Sequence, residues 1–203
     1  MEALPTTLPG ALVLVPTVHR DERGFFQETY RRDRFATLGL TDAFVQENHS
    51  RSSRGVLRGM HLQIGAGIAK LVRCARGEIL DVIVDVRRGS PAYGRWEGFR
   101  LDDRDHRQLY VPVGFAHGFC VLSEVADVIY RQSGYYDPQL ERAIAHDDPR
   151  IGIEWPSGIA FTVSARDRTA PRLEELAREL PFAYRSASGP AAPPHPAAPP
   201  WHS

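Results

Sequence analysis

Along most of this chain apolar residues recur at every second position or in short unbroken runs, and only rarely at helical spacing. Segments 11–18, 24–29, 56–61, 70–74, 108–112, 118–122 and 127–132 each predict a strand. Segment 78–86 is the clearest. Leu80, Val82 and Val84 share one face, while Ile79, Asp81, Ile83 and Asp85 share the other. Apolar residues on both faces predict cover on both sides. Turn signals such as Arg76-Gly77, Arg88-Gly89-Ser90-Pro91 and Pro112-Val113-Gly114 punctuate the strands. Helical spacing occurs twice. Segment 30–38 is short and charged, and 171–180 places Leu173, Leu176, Ala177 and Leu180 on one stripe behind Pro171. Many short strands with few helices predict an all-β sandwich or barrel, and a jelly roll suits this length.

Composition narrows the picture in four ways. The last eighteen residues, 186–203, hold six prolines and five alanines, which predicts a disordered tail behind a single domain at 1–185. The formal net charge is zero, so neither a nucleic-acid nor a membrane surface is expected, and an anionic ligand must be held by a local cluster. Cys74 and Cys120 lie inside apolar runs and read as buried free thiols. The first ten residues lack a basic segment followed by a long apolar run, so no signal peptide is expected, and a cytoplasmic location follows. Of the 25 basic residues only Lys70 is lysine, which marks it for a task that arginine cannot perform.

Two segments carry candidate chemistry. Residues 48–63, NHSRSSRGVLRGMHLQ, gather His49, Arg51, Arg54, Arg58 and His61. Arg58 and His61 are three apart, so a regular strand would point them to opposite faces. Gly59 between them is where a bulge would re-aim one of the two. By composition alone the segment also suits an exposed basic loop. Residues 112–119, PVGFAHGF, resemble the second cupin motif, which ends in a metal-binding histidine; alone, His117 reads equally as a core histidine. The first cupin motif would supply two more histidines and a glutamate. Here the matching stretch reads His61-Leu62-Gln63, and Lys70 stands near the glutamate position. A catalytic metal takes about three protein ligands. A metal-free cupin is therefore expected.

The runs RGFFQE, NHSRSSRGVLRGMHLQ, AKLVRCARGEILDVIVDVRRGSPAYGRW, VPVGFAHGF, YYDP, DPRIGIEWP and SARD occur in this order over 13–176. Together they resemble the dTDP-4-dehydrorhamnose 3,5-epimerase family. The resemblance implies a jelly-roll homodimer with no cofactor, acting on a dTDP-linked sugar inside the barrel. It implies His61 as base, Asp167 as its orienting partner, Tyr130 as acid and Lys70 at the developing enolate. Arg23, Arg58 and Arg166 look like diphosphate contacts. Phe26, Glu28 and Tyr136 look like a nucleotide-base pocket partly lent by a second subunit. Gln46, Asn48, His117 and Glu141 match positions lining the sugar.

These residue types suit the implied chemistry. Inverting a carbon beside a ketone requires removal of its proton from one face, support of the enolate, and return of a proton to the other face. Histidine titrates near neutral pH and suits the base. A carboxylate fixes its tautomer and stabilises the imidazolium. A compact ammonium suits the enolate oxygen, and a tyrosine hydroxyl can donate a proton without carrying a charge. The sequence also departs from the family pattern. Leu62 replaces an aromatic residue, Arg131 a lysine, and Gln132-Ser133-Gly134 a stretch that usually holds Thr-Asp. An epimerase acting at one carbon only, a 3,4-ketoisomerase, a non-catalytic sugar-nucleotide binder and a metal-dependent oxygenase are the alternatives.

Overall fold

The computed structural model describes residues 1–185. The proposed tail at 186–203 lies outside the described residues. In chain order the strands are β1 (Glu2–Pro5), β2 (Leu12–Val15), β3 (Val18–Asp21), β4 (Gly24–Gln27), β5 (Gln46–Ser53), β6 (Val56–Gln63) and β7 (Lys70–Arg76). They continue as β8 (Glu78–Asp85), β9 (Trp96–Asp102), β10 (Gln108–Val111), β11 (Phe115–Val121), β12 (Val125–Gln132), β13 (Glu141–Ala143) and β14 (Thr162–Val163). The helices are short: α1 (Arg32–Thr37), α2 (Ala165–Arg168) and α3 (Leu173–Leu176).

Two sheets face each other. One has the order β1-β2-β10-β7-β12-β5 and the other β13-β6-β11-β8-β9, with β14 added in parallel to β6. The other pairings between these strands are antiparallel, and an isolated bridge between Arg88 and Ala183 is parallel. This is the all-β sandwich with a few short helices that the strand pattern predicts.

Alternation along the strands builds three apolar layers. Val72 of β7, Ile79 and Ile83 of β8, Leu109 of β10, Phe119 of β11 and Val128 of β12 meet between the sheets. On the outer side of the second sheet, Leu80, Val82 and Val84 meet Ile144, Leu173, Leu176, Leu180 and Phe182. On the outer side of the first, Leu14, Leu71 and Tyr110 meet Phe35 and Leu40. β8 is thus covered on both faces, as its two apolar faces predict, and is buried from Ile79 to Asp85. The stripe predicted over 171–180 is buried as expected, although only one turn of it is helical. Full burial of each leucine there contributes about 1.5–3 kcal/mol, which needs the right face and not a long helix.

The observed strands differ from the pattern in several places. The predicted run 11–18 is two strands, because Pro16 has no N–H to give a ladder and the chain turns there into β3. β1, β5, β9, β13 and β14 lie outside the predicted segments; β5 has no apolar residue at all. β11 begins earlier than predicted and so takes in His117. The β3–β4 hairpin forms its own two-stranded ribbon. It docks through Phe25, whose ring lies 4.4 Å from that of His106, and through Arg20, which donates to the Arg104 carbonyl at 2.9 Å.

Candidate active site

One end of the space between the sheets is open and polar. It forms a cleft of about 670 Å³ lined by β5, β6, β7, β11 and β12, with β14 and α2 at its rim. A second depression of about 560 Å³ runs along β9 and is lined by Glu78, Arg100, Asp102, Arg104 and other charged groups. Glu78 is paired there with Arg100 and Arg104. It contains none of the expected catalytic residues.

Gly59 does re-aim its neighbours. β6 pairs with β11 through His61 opposite His117, then Arg58 opposite Phe119, so two β6 residues, Gly59 and Met60, stand against the single residue Gly118. That extra residue is a β-bulge, and it turns Arg58 and His61 to the same cleft. The strands approach so closely here that side chains are excluded. Gly59 has φ +144°, and a Cβ on it would lie 2.5 Å from the Gly118 Cα.

His61 Nε2–H donates to Asp167 Oδ1 at 2.7 Å. The aspartate comes from the first turn of α2, where the Asp167 N–H donates to the Ser164 hydroxyl at 3.1 Å and so caps the helix. Burial alone would raise the Asp167 carboxyl. The hydrogen bond and charge of His61, with the Gly59 N–H and Ser164, outweigh burial and hold it below the usual carboxylate value. Asp167 therefore stays an anion, fixes the ring and leaves Nδ1 as the nitrogen available to accept a proton. The His61 side chain keeps 27% of its surface exposed.

Next to it lies a second pair. His117 Nε2–H donates to both oxygens of Asp81, at 3.0 and 2.9 Å. Burial pulls the His117 imidazole below its ordinary value, against the pull of Asp81. Lys70 reaches in from β7, with its Nζ 3.5 Å from the His61 carbonyl and 5.9 Å from the centre of the Tyr130 ring. Desolvation lowers its ammonium to about 8, and Asp81 and Glu141 limit the fall. Tyr130 projects from β12, on the sheet opposite His61. Burial raises its hydroxyl, so it remains protonated at neutral pH.

The remaining walls are ordered by polar contacts. On β5 the Gln46 amide donates to Asn48 at 3.0 Å, and Asn48 donates to Gln132 at 2.7 Å. Arg58 Nε donates to the Ser52 hydroxyl at 3.1 Å. Glu141 accepts from the Tyr136 hydroxyl at 2.7 Å and from Arg166. Burial would raise the Glu141 carboxyl, but Arg166, Tyr136 and His61 together hold it low.

Eleven of the fourteen expected site residues therefore line one cleft, and Arg23, Phe26 and Glu28 do not. Those three lie on or just after the β3–β4 hairpin. Arg23 pairs with Asp21, Glu28 with Arg31 and Arg34, and Phe26 is 71% exposed. The sequence reading missed Asp81, Ser50, Ser52 and Gln132. The alternation of 46–53 could have revealed the two serines, whereas the partners of Asp81 and Gln132 lie too far along the chain. Among the described residues no group of three or more His, Cys, Asp or Glu side chains is arranged to hold a metal.

Comparison with known proteins agrees with this geometry. Residues 5–175 match the family model for dTDP-4-dehydrorhamnose 3,5-epimerase. The enzyme of that name from Salmonella typhimurium is 48% identical over 177 residues, covering 86% of this chain and 97% of that protein. The crystal structure of the Legionella pneumophila dTDP-6-deoxy-D-glucose-3,5-epimerase RmlC, in complex with dTDP-4-keto-L-rhamnose, superposes with a TM-score of 0.88. It is 42% identical and covers 91% of this chain and 99% of that one. ChmJ, a 3'-monoepimerase from Streptomyces bikiniensis in complex with dTDP-quinovose, superposes with a TM-score of 0.81 at 37% identity, covering 86% of this chain and 89% of its own.

Proposed function

Because the chain belongs to the dTDP-4-dehydrorhamnose 3,5-epimerase family, we propose that His61 and Tyr130 are the base and acid of its reaction, working on opposite faces of the sugar. The reaction is epimerisation at C3 and C5 of dTDP-4-dehydro-6-deoxy-D-glucose, giving dTDP-4-dehydro-L-rhamnose. The observation that carries the assignment is that His61 rises from β6 of one sheet and Tyr130 from β12 of the other, across a single cleft.

In this reading His61 Nδ1 removes the proton from the carbon beside the ketone. Asp167 stabilises the imidazolium that results. The Lys70 ammonium, in its desolvated position between His61 and Tyr130, supports the enolate oxygen at C4. Tyr130 then delivers a proton to the opposite face. C3 and C5 flank the same carbonyl, so one set of groups serves both once the ring turns. No step calls for a metal or cofactor, and Gln63 stands where a cupin metal site would have a histidine.

The substrate is a dTDP-linked sugar, for which Arg58 and Arg166 supply local positive charge in a chain of zero net charge. Gln46, Asn48, His117, Tyr136 and Glu141 are assigned to the walls around it. Arg23, Phe26 and Glu28 are assigned to the site of a second subunit in a homodimer. Support comes from Phe26, exposed on a hairpin that does not reach its own cleft. The catalytic domain is assigned to 1–185. A cytoplasmic location is favoured by the buried free thiols Cys74 and Cys120, and among the described residues no helix is long and apolar enough to cross a membrane.

The test is NMR of the substrate incubated with the enzyme in heavy water. Deuterium is expected at both C3 and C5, with inversion at both. Exchange confined to one carbon would replace the assignment with that of a single-carbon epimerase.

A further inference from the structure

Every inward-facing side chain of β5 but one has a polar partner. Gln46 and Asn48 are bound to each other and onward to Gln132. Ser52 accepts from Arg58. Ser50, between them on the same face, lines the cleft, yet its hydroxyl oxygen is buried and has no hydrogen-bond partner among the described residues. A buried hydroxyl left unpaired costs free energy in proportion to its lost hydration. Such a group on the wall of a cleft is a donor in need of an acceptor.

Its position says which acceptor. Alternate residues on a strand lie about 7 Å apart along it. One such step from Ser50 is Asn48, which pairs in register with Tyr130. One step the other way is Ser52, which holds the Arg58 guanidinium. Of the basic groups lining the cleft, Lys70 is half-buried and Arg58 is exposed. A sugar whose ketone lies at Lys70 and Tyr130 therefore has its anionic linkage toward Arg58, and Ser50 stands between the two.

We propose that the Ser50 hydroxyl donates a hydrogen bond to the phosphoryl group nearest the sugar, completing with Arg58 the recognition of the diphosphate. This rests on the assignment of the cleft to a nucleotide-linked sugar. Neither Ser50 nor Ser52 abstracts or delivers a proton, so Ser50 is a binding and positioning residue.

Titration calorimetry with dTDP and dTMP separates the possibilities, because dTMP lacks the sugar-side phosphate. A hydrogen bond to a charged group is worth a tenfold change in affinity or more. Ser50→Ala is expected to weaken dTDP about tenfold and leave dTMP unchanged. KM for the dTDP-sugar should rise while deuterium exchange at saturation is preserved. The melting temperature should hold or rise, since an unpaired buried hydroxyl is removed. Unchanged dTDP affinity in Ser50→Ala would overturn the proposal, and so would an equal loss for dTDP and dTMP. If the unmutated protein bound no dTDP, the assignment of the cleft itself would fail, a result distinct from a failure of Ser50 alone.

Discussion

The cleft contains two histidine–aspartate pairs on neighbouring strands, His61–Asp167 and His117–Asp81, with the two histidines directly opposite in register. They have the same chemical parts and differ in water access. The His61 side chain is 27% exposed over an aspartate brought by a surface helix. The His117 side chain is 6% exposed, and Asp81 is wholly buried within β8. For the second pair, burial favours a neutral, immobile imidazole. The first keeps a route by which a proton can come and go. Both imidazoles have an orienting carboxylate, so residue type does not tell the pairs apart; water access does, and it favours His61 as the proposed base.

The largest effect should come from removing the open pair. His61→Ala is expected to lower kcat/KM by about 10³–10⁴-fold, the upper range for loss of a general base, and to stop deuterium uptake at both carbons. Its melting temperature should fall only modestly: Asp167 beneath the ring is 4% exposed and loses its partner, but removal of the partly exposed ring lets water reach it. Residual exchange above a tenth of the normal rate would mean that another group forms the enolate.

Lys70 lies between the two pairs, and its replacement sharpens their roles. Lys70→Arg keeps the charge but not the compact ammonium, and should cost about a hundredfold or more in kcat. Lys70 must be protonated to hold an enolate, so activity of the unmutated enzyme should fall as pH rises through about 8. Arginine stays charged throughout that range. The residual activity of Lys70→Arg should therefore lack the fall. A normal rate, or the same alkaline fall in the variant, would remove Lys70 from the mechanism.

The closed pair should show the reverse balance. His117→Ala leaves Asp81 buried and uncompensated, which costs about 3 kcal/mol or more of stability. For a domain of this size that is a drop of about 6–12 °C in Tm. Turnover per folded molecule should fall no more than about tenfold, as for loss of one hydrogen bond. If His117→Ala instead matched His61→Ala in rate with Tm intact, the contrast between the pairs would collapse.

How much of this was legible in the sequence depended on what each strand faces. β8 was readable because both faces pack against apolar layers. β5 was not, because its inward residues line a cleft and its outward ones meet water, so polar alternation replaced apolar alternation. The bulge at Gly59 was foreseeable from a glycine between two functional side chains in one strand. The pairing of His61 with Asp167 spans 106 residues and has no local signature; it came from resemblance to a family. The placement of Arg23, Phe26 and Glu28 follows no intrachain rule, because nothing within one subunit draws the hairpin to the cleft. The turn of α2 does have a signal, Ser164 three residues ahead of Asp167, but a helix of four residues has no apolar stripe to go with it.

The polar character of β5 has a consequence beyond ligand contact. Among the described residues β5 is the last strand of its sheet, so one row of its backbone groups has no neighbouring strand there. Long hydrophobic borders of this kind recruit other chains and seed aggregates. Here all eight side chains, Gln46 to Ser53, are polar or charged, and the outward Glu47, His49 and Arg51 carry charge or can acquire it. The residues that suit a hydrophilic sugar thus also keep the border soluble. A directed-evolution campaign that made this wall greasier to admit a less polar substrate would run into precipitation of the protein before it ran out of catalytic solutions.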